Sequence, residues 1–381
     1  MKYDFDEIIE RRGTGCVKWD EMADAEVIPL WVADMDFAVA PAIQEAIRQR
    51  AEHPVFAYTL VDDDYYKAII SWFQRRHDWT ISREHILYTI GVVPAMSCAI
   101  KALTMPGEKV VILSPDYNCF FSSIRNNGCE VSESVLRFSC SNNRFEIDWQ
   151  DFEARCADEK TTVFLLCNPH NPTGRVWSRE ELQRMSDICR QYDVRIVSDE
   201  IHCELVMPGN TFCPMGTVDE TAVVLNSPSK SFNTAGLQVA NIICTDAATR
   251  RRIDRAININ EVCDVNPFAP VALIAAYNDS EDWIDELCPY LWENYTTLCD
   301  FAAQHIPNWT VMPLEGTYLA WVKVNDCDSV DAYCEQLIEK AKVWLNPGTM
   351  YGAESGKGYV RINLACPRPL LLEALNRITK I

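Results

Sequence analysis

Lys230 lies in the run Asn226-Ser227-Pro228-Ser229-Lys230-Ser231-Phe232-Asn233, directly after the apolar stretch Val223-Val224-Leu225. A lysine that follows a buried strand, with hydroxyls on both sides, is placed to form an imine with a carbonyl cofactor beside a phosphate site. A ring cofactor of that kind also needs an anion for its ring nitrogen, a cradle for its phosphate and an aromatic stacked on its face. An amino-acid substrate needs a cation for its carboxylate. The chain offers candidates for each. Asp199, in Ser198-Asp199-Glu200-Ile201-His202, ends an apolar run, where ligands of open α/β sheets gather. Its carboxylate can keep a ring nitrogen protonated and so make the ring an electron sink. Glu200 competes for that role but points the opposite way if the strand runs through it. Asn171 opens the turn Asn171-Pro172-Thr173-Gly174, and its amide can donate to a ring oxygen or to a substrate carboxylate. His202 can donate to the same ring oxygen. Gly91-Val92-Val93-Pro94-Ala95 suits the start of a helix, whose free N–H groups bind phosphate, and Ser227 can add a hydroxyl. Tyr117, in Ser114-Pro115-Asp116-Tyr117, can stack on the ring. Arg361, in Tyr359-Val360-Arg361-Ile362-Asn363, can grip a carboxylate through two parallel hydrogen bonds. Each residue also has a plainer reading: a loop lysine, a helix-capping Asp, an ordinary Asn-Pro turn, a core tyrosine, a surface arginine on an edge strand. Their joint occurrence in one chain order favours the chemistry.

The elements that must position these residues are readable. Val110–Leu113, Thr162–Cys167, Arg195–Ser198, Val223–Leu225 and Ile242–Cys244 are short, nearly continuous apolar runs, as in a parallel sheet buried on both faces. Between two of them Ser178 and Glu181 form a capping box ahead of Leu182, Met185, Ile188 and Cys189 at helical spacing. This alternation predicts an α/β domain with helices on both faces. The last third differs. A helix is expected near Trp283, a strand at Tyr318–Val322, a helix after Ser329 and a terminal helix through Leu370, Leu371, Leu375 and Ile378. That is α+β in character. The expected division is a large domain over 40–280 and a smaller one from 1–39 with 281–381.

Composition narrows the class. The 381 residues carry a formal net charge of −20, which opposes a nucleic-acid or anionic-membrane partner. Seventeen cysteines are present, no two closer than seven residues. With no Cys-x-x-Cys and no Cys/His ligand spacing, neither a zinc site nor a redox dithiol is expected, and no metal is assigned. The first residues, Met1-Lys2-Tyr3-Asp4-Phe5-Asp6, hold no apolar signal region. The cysteines then read as reduced, buried residues of a cytoplasmic protein. No apolar run reaches spanning length, and neither a Gly-x-Gly-x-x-Gly nor a Walker-type phosphate loop occurs.

With these residues in hand, the chain resembles the class I/II aminotransferase superfamily of fold-type I enzymes that use pyridoxal phosphate. More narrowly it is similar to the cystathionine β-lyase-like (C–S lyase) branch. The resemblance rests on Lys18-Trp19-Asp20, on the block Leu30 to Phe37 (LWVADMDF), and on Gly91-Val92-Val93-Pro94. It also rests on the block Cys167 to Trp177 (CNPHNPTGRVW), on Ser198 to His202, and on Gly316-Thr317-Tyr318-Leu319. It implies that Lys230 binds the cofactor and moves the α-proton, that Asp199 meets the pyridine nitrogen, and that Asn171 and His202 contact the phenolic oxygen. It implies that Tyr117 stacks, that Val92, Val93 and Ser227 hold the phosphate, and that Arg361, Asn171 and the backbone of Ala33 bind the substrate carboxylate. Tyr58 matches a tyrosine that reaches the neighbouring subunit's site, which implies a homodimer with shared sites. Two positions depart from the wider pattern: Gln238 stands where many aminotransferases carry an arginine, and Ala57 precedes Tyr58 in place of glycine. The expected activity is β-elimination on L-cystathionine or related cysteine S-conjugates. An aminotransferase uses the same residues and stays open, as does a cofactor-binding regulator.

Overall fold

The computed structural model describes residues 2–381. A seven-stranded sheet forms its centre, in the order Ile86–Thr89, Ala240–Ile243, Val223–Asn226, Arg195–Asp199, Thr161–Cys167, Lys109–Ser114, Glu130–Val135. The four central parallel pairings join Val223–Asn226 through to Glu130–Val135. Ala240–Ile243 runs antiparallel to both its neighbours, which corrects the expectation that its apolar run belongs to the parallel set. The physical reason is plain: all four of its residues are buried, and a strand buried on both faces has no sidedness from which direction can be read.

Helices cover both faces. On one face lies Val92–Leu103, buried at Val92, Ala95, Met96, Cys98, Ala99, Ile100 and Ala102. It packs between the sheet and the helix Ala247–Ile259, so apolar side chains ring most of its circumference. On the other face the helices Asp63–His77 and Phe268–Asp279 share a core that continues into the C-terminal part, with Trp72 stacked on Tyr277 at 4.9 Å. The capping box forms as expected: Glu181 N–H donates to Ser178 Oγ at 3.2 Å and Ser178 N–H to Glu181 Oε2 at 2.9 Å.

A second, four-stranded antiparallel sheet has the order Trp309–Val311, Leu319–Val324, Tyr359–Asn363, Asn346–Pro347. The helix Glu281–His305, which begins two residues before the expected Trp283, turns Trp283, Ile284, Leu287, Leu291 and Leu298 inward. Near the N-terminus, Ile28–Pro29 pairs in parallel with Val343–Trp344. The segment that follows, 30–37, is thereby drawn across to the large sheet's strand ends. Among the described residues no helix is long and apolar enough to cross a membrane.

Candidate active site

The C-terminal ends of Thr161–Cys167 and Arg195–Asp199, with the turn after Val223–Asn226, open on a cavity of about 290 Å³. This is the position at which open α/β sheets take ligands. Ala33, Val92, Val93, Tyr117, Asn171, Asp199, His202 and Lys230 all line it. Eight of the eleven residues singled out in the sequence therefore share one wall, although they span positions 33 to 230. Cys167, Ile201, Ser229 and Gln238 line it as well. Ile201 could have been found by alternation from Asp199; Cys167 and Ser229 carry no signal beyond adjacency to the motifs.

Lys230 sits on the single helical turn Pro228–Ser231, which Ser227 caps. A serine before a proline at the first helical position is a strong cap. That use consumes the Ser227 hydroxyl, which accepts from Ser229 N–H at 3.1 Å and donates to Val239 O at 2.6 Å. Ser227 is not on the cavity wall, and Ser229 stands there instead. The Lys230 ammonium donates to the carbonyl of Ala33 at 2.5 Å. Burial, with the nearby Arg361 charge, pulls this amine down to about 8.

Asp199 is 4% exposed and forms no ion pair among the described residues. Its Oδ1 accepts only the Ile201 N–H, at 3.1 Å. Burial pushes its carboxyl up to about 7, against the pull of that N–H and of Lys230. Glu200 points away, as expected, accepting from Ser198 Oγ at 2.9 Å and Met215 N–H at 2.7 Å. Burial lowers the His202 imidazole to about 3, so it is neutral, and its Nδ1 is buried without a partner.

Arg361 lies beside the cavity rather than on its wall, on the second sheet. One terminal nitrogen donates to Asn171 Oδ1 at 3.2 Å and the other to Trp31 O at 2.8 Å, while Nε is buried and unpartnered. The guanidinium lies over the Tyr351 ring, 4.7 Å from its centroid. The Arg361 bond fixes the Asn171 amide and leaves its NH₂ as the group free to donate. The helix Val92–Leu103 starts at Gly91 without a side-chain cap. Pro94 has no N–H, so Val92 and Val93 supply the open donors of the first turn, at the cavity wall. Tyr58 is not at the cavity: it is 93% exposed, next to exposed Val55, Phe56 and Leu60. Away from this site His77, Cys203 and Glu204 converge. The Glu204 carboxylate is already met by Trp72 Nε1 and His77 Nε2, both at 2.7 Å, and by Arg76 at 3.5 Å.

Pyridoxal phosphate fits what these residues leave unmet: a buried carboxylate without an ion pair, an uncapped helix start and an orphaned imidazole nitrogen, beside a lysine amine, all within one cavity. The family model for aminotransferase class I and II matches residues 25–378. Cystathionine beta-lyase PatB of Bacillus subtilis is 37% identical, over 98% of this chain and 98% of its own. Cystalysin of Treponema denticola, whose crystal structure contains pyridoxal 5′-phosphate, superposes with a TM-score of 0.95 at 33% identity, covering 100% of this chain and 98% of that one. The PLP-bound C–S lyase of Staphylococcus hominis gives a TM-score of 0.92 at 32% identity, covering 99% and 98%.

Proposed function

The chain belongs to the aminotransferase class I and II family, and we propose that it is a pyridoxal-phosphate-dependent carbon–sulfur β-lyase that cleaves L-cystathionine or related cysteine S-conjugates. The observation that carries this reading is the convergence of Lys230, Asp199, Asn171, His202 and Tyr117 on one buried cavity. Likeness to the lyases over nearly the whole chain favours elimination over transamination.

When bound, the cofactor supplies an electron sink for charge developing at the substrate's Cα. Lys230, Asp199, Asn171, His202 and the Val92 and Val93 N–H groups would hold it, with Tyr117 against its ring. Arg361, the Asn171 amide and the Ala33 N–H take the substrate carboxylate. That fixes Cα beside Lys230, whose amine, held down to about 8, is neutral in an appreciable fraction near neutral pH and accepts the Cα proton. The β-sulfur leaves with the electron pair of the Cβ–S bond and takes up a proton as the thiol. The released enamine hydrolyses to pyruvate and ammonia.

The reading extends to the whole protein. A homodimer with shared sites is supported by the run of exposed large hydrophobic side chains at Val55, Phe56, Tyr58 and Leu60, such as marks an interaction surface. The division into 40–280 and 1–39 with 281–381 is supported by the Ile28–Val343 pairing. A cytoplasmic location is supported by seventeen free cysteines. The deciding measurement is pyruvate release from L-cystathionine with cofactor but no 2-oxo acid present. Sustained multi-turnover formation of pyruvate and thiol is expected. Turnover that requires a 2-oxo acid acceptor would replace the lyase with an aminotransferase.

A further inference from the structure

The Gly316-Thr317-Tyr318-Leu319 block gives no side chain to the cavity wall, yet its backbone is unusual. Thr317 is fully buried with φ of 69°, in the left-handed region where a β-branched side chain crowds its own backbone. Two bonds hold it there. Its N–H donates to Leu205 O at 2.7 Å, and its Oγ1 accepts the Leu319 N–H at 3.1 Å. Gly316 before it admits no side chain, because a Cβ would lie 2.8 Å from Val176 Cγ2 and 2.9 Å from Pro169 Cβ. Strained turns of this kind persist only where their surroundings over-determine them, and they cluster at functional sites. This one delivers Tyr318. The buried phenol donates to Ala33 O at 3.0 Å, and that same oxygen accepts the Lys230 amine at 2.5 Å. The Tyr318 ring also packs edge-on against His202, with centroids 5.9 Å apart.

We propose that Tyr318 is a positioning residue which, through the carbonyl of Ala33, sets where the Lys230 amine stands and how readily it gives up its proton. The proposal rests on the reading of Lys230 given above. A carbonyl oxygen offers two lone pairs, and each donor it accepts weakens it for the other. The ammonium form of Lys230 is the stronger donor, so it gains most when the phenol is taken away. The other charged or titratable groups facing the amine are Arg361, Asp34, Asp199, Cys119 and His202, and substitution at Tyr318 leaves all of them in place.

The test uses cofactor-free protein mixed with pyridoxal phosphate over a range of pH, with covalent capture followed by visible absorbance. Capture requires the neutral amine, which condenses with the aldehyde and releases one water. Tyr318→Phe should raise the midpoint by on the order of half a pH unit, about threefold slower capture on the acid side. Its kcat for thiol release should fall about tenfold with KM within about twofold. A difluorinated tyrosine at position 318 keeps the shape, donates more strongly and should lower the midpoint; it decides alone if Tyr318→Phe fails to fold. A midpoint unmoved in either folded variant, or moved the same way in both, overturns the proposal whatever happens to kcat. Lys230→Ala separates the two readings. Covalent capture persisting in that variant defeats the assignment of Lys230. Capture lost there, with Tyr318 variants titrating like the parent, defeats only the positioning role.

Discussion

Replacing Asp199 by Asn should stabilise the cofactor-free protein while crippling the enzyme. In the folded chain burial raises this carboxyl from 3.8 to about 7. Between those two values the unfolded chain has released the proton while the folded chain still holds it. Folding stability therefore falls as pH rises through that window and levels off above it. Three pH units correspond to about 4 kcal/mol. Asn is neutral at every pH and does not incur that loss. The gap between variant and parent should be absent below pH about 4, partial near pH 5 and on the order of 4 kcal/mol at pH 8. Glu200, itself pushed up to about 8, is common to both proteins and largely cancels. Urea unfolding of cofactor-free parent and variant at those pH values measures the gap through the midpoint at constant slope. With cofactor bound the gap should narrow or reverse, because the parent's carboxylate then faces a cation. Turnover should fall by about a hundredfold or more, as when a preorganised charge is removed from a reacting centre. A variant no more stable than the parent at pH 8, or a gap equal at pH 4 and 8, would refute the account of Asp199 as an anion held unpaired for a cationic partner.

Arg361→Lys keeps the charge but loses the planar stack on Tyr351 and one of the two directed donors, so kcat/KM for an amino-acid substrate should drop about 10- to 100-fold, read from steady-state kinetics. An unchanged KM for the carboxylate-bearing substrate would remove Arg361 from its binding. Tyr58→Ala and Lys230→Ala should each be inactive alone, and mixing them after reversible dissociation should restore up to about a quarter of parental activity if the two sites of a dimer are shared. No recovery in verified mixed dimers would confine Tyr58 to its own subunit's surface.

What the sequence disclosed follows from where its signals are strong. Thr161–Cys167 and Lys109–Ser114 are nearly continuous apolar runs rich in β-branched and aromatic residues and too short for a helix buried all round, as a strand buried on both faces requires. Glu130–Val135 is mostly Glu and Ser, with Val only at 131 and 135, and lies at a sheet edge, so hydropathy passes over it. The antiparallel sense of Ala240–Ile243 is set by its connections, not by its residues. At the site, the candidates on strand ends and turns were legible because ligand chemistry demands their types there. Capping and ligand binding ask for the same hydroxyl at Ser227, and the Pro228 that follows is the signal for the cap. The wall residue Cys167 is an ordinary strand-end position that tertiary structure turns toward the cavity.

The segment 30–37 shows why a block so distant in sequence belongs to the same chemistry. Its backbone carbonyls are taken one after another by polar groups from the two sheets. Asn363, two residues past Arg361, donates to Val32 O and Asp34 O at 2.7 and 2.6 Å. Asn233, three residues past Lys230, donates to Met35 O and Phe37 O at 3.1 and 2.9 Å. Arg361 takes Trp31 O, and Lys230 takes Ala33 O. On the far side, Asp34 and Asp36 are pinned by Arg11, at 2.8 and 2.5 Å, and Asp36 by the buried Lys18 at 2.7 Å. Lys230 and Arg361 thus refer to one strip of backbone, although one follows a strand of the large sheet and the other lies on the second sheet. Segment 30–37 therefore ties Lys230 to Arg361 through Ala33 O and Trp31 O, in parallel with the direct bond between Arg361 and Asn171. The path of that backbone depends on the asparagines that hold its carbonyls and on the Asp34 and Asp36 side chains that anchor it to Arg11 and Lys18.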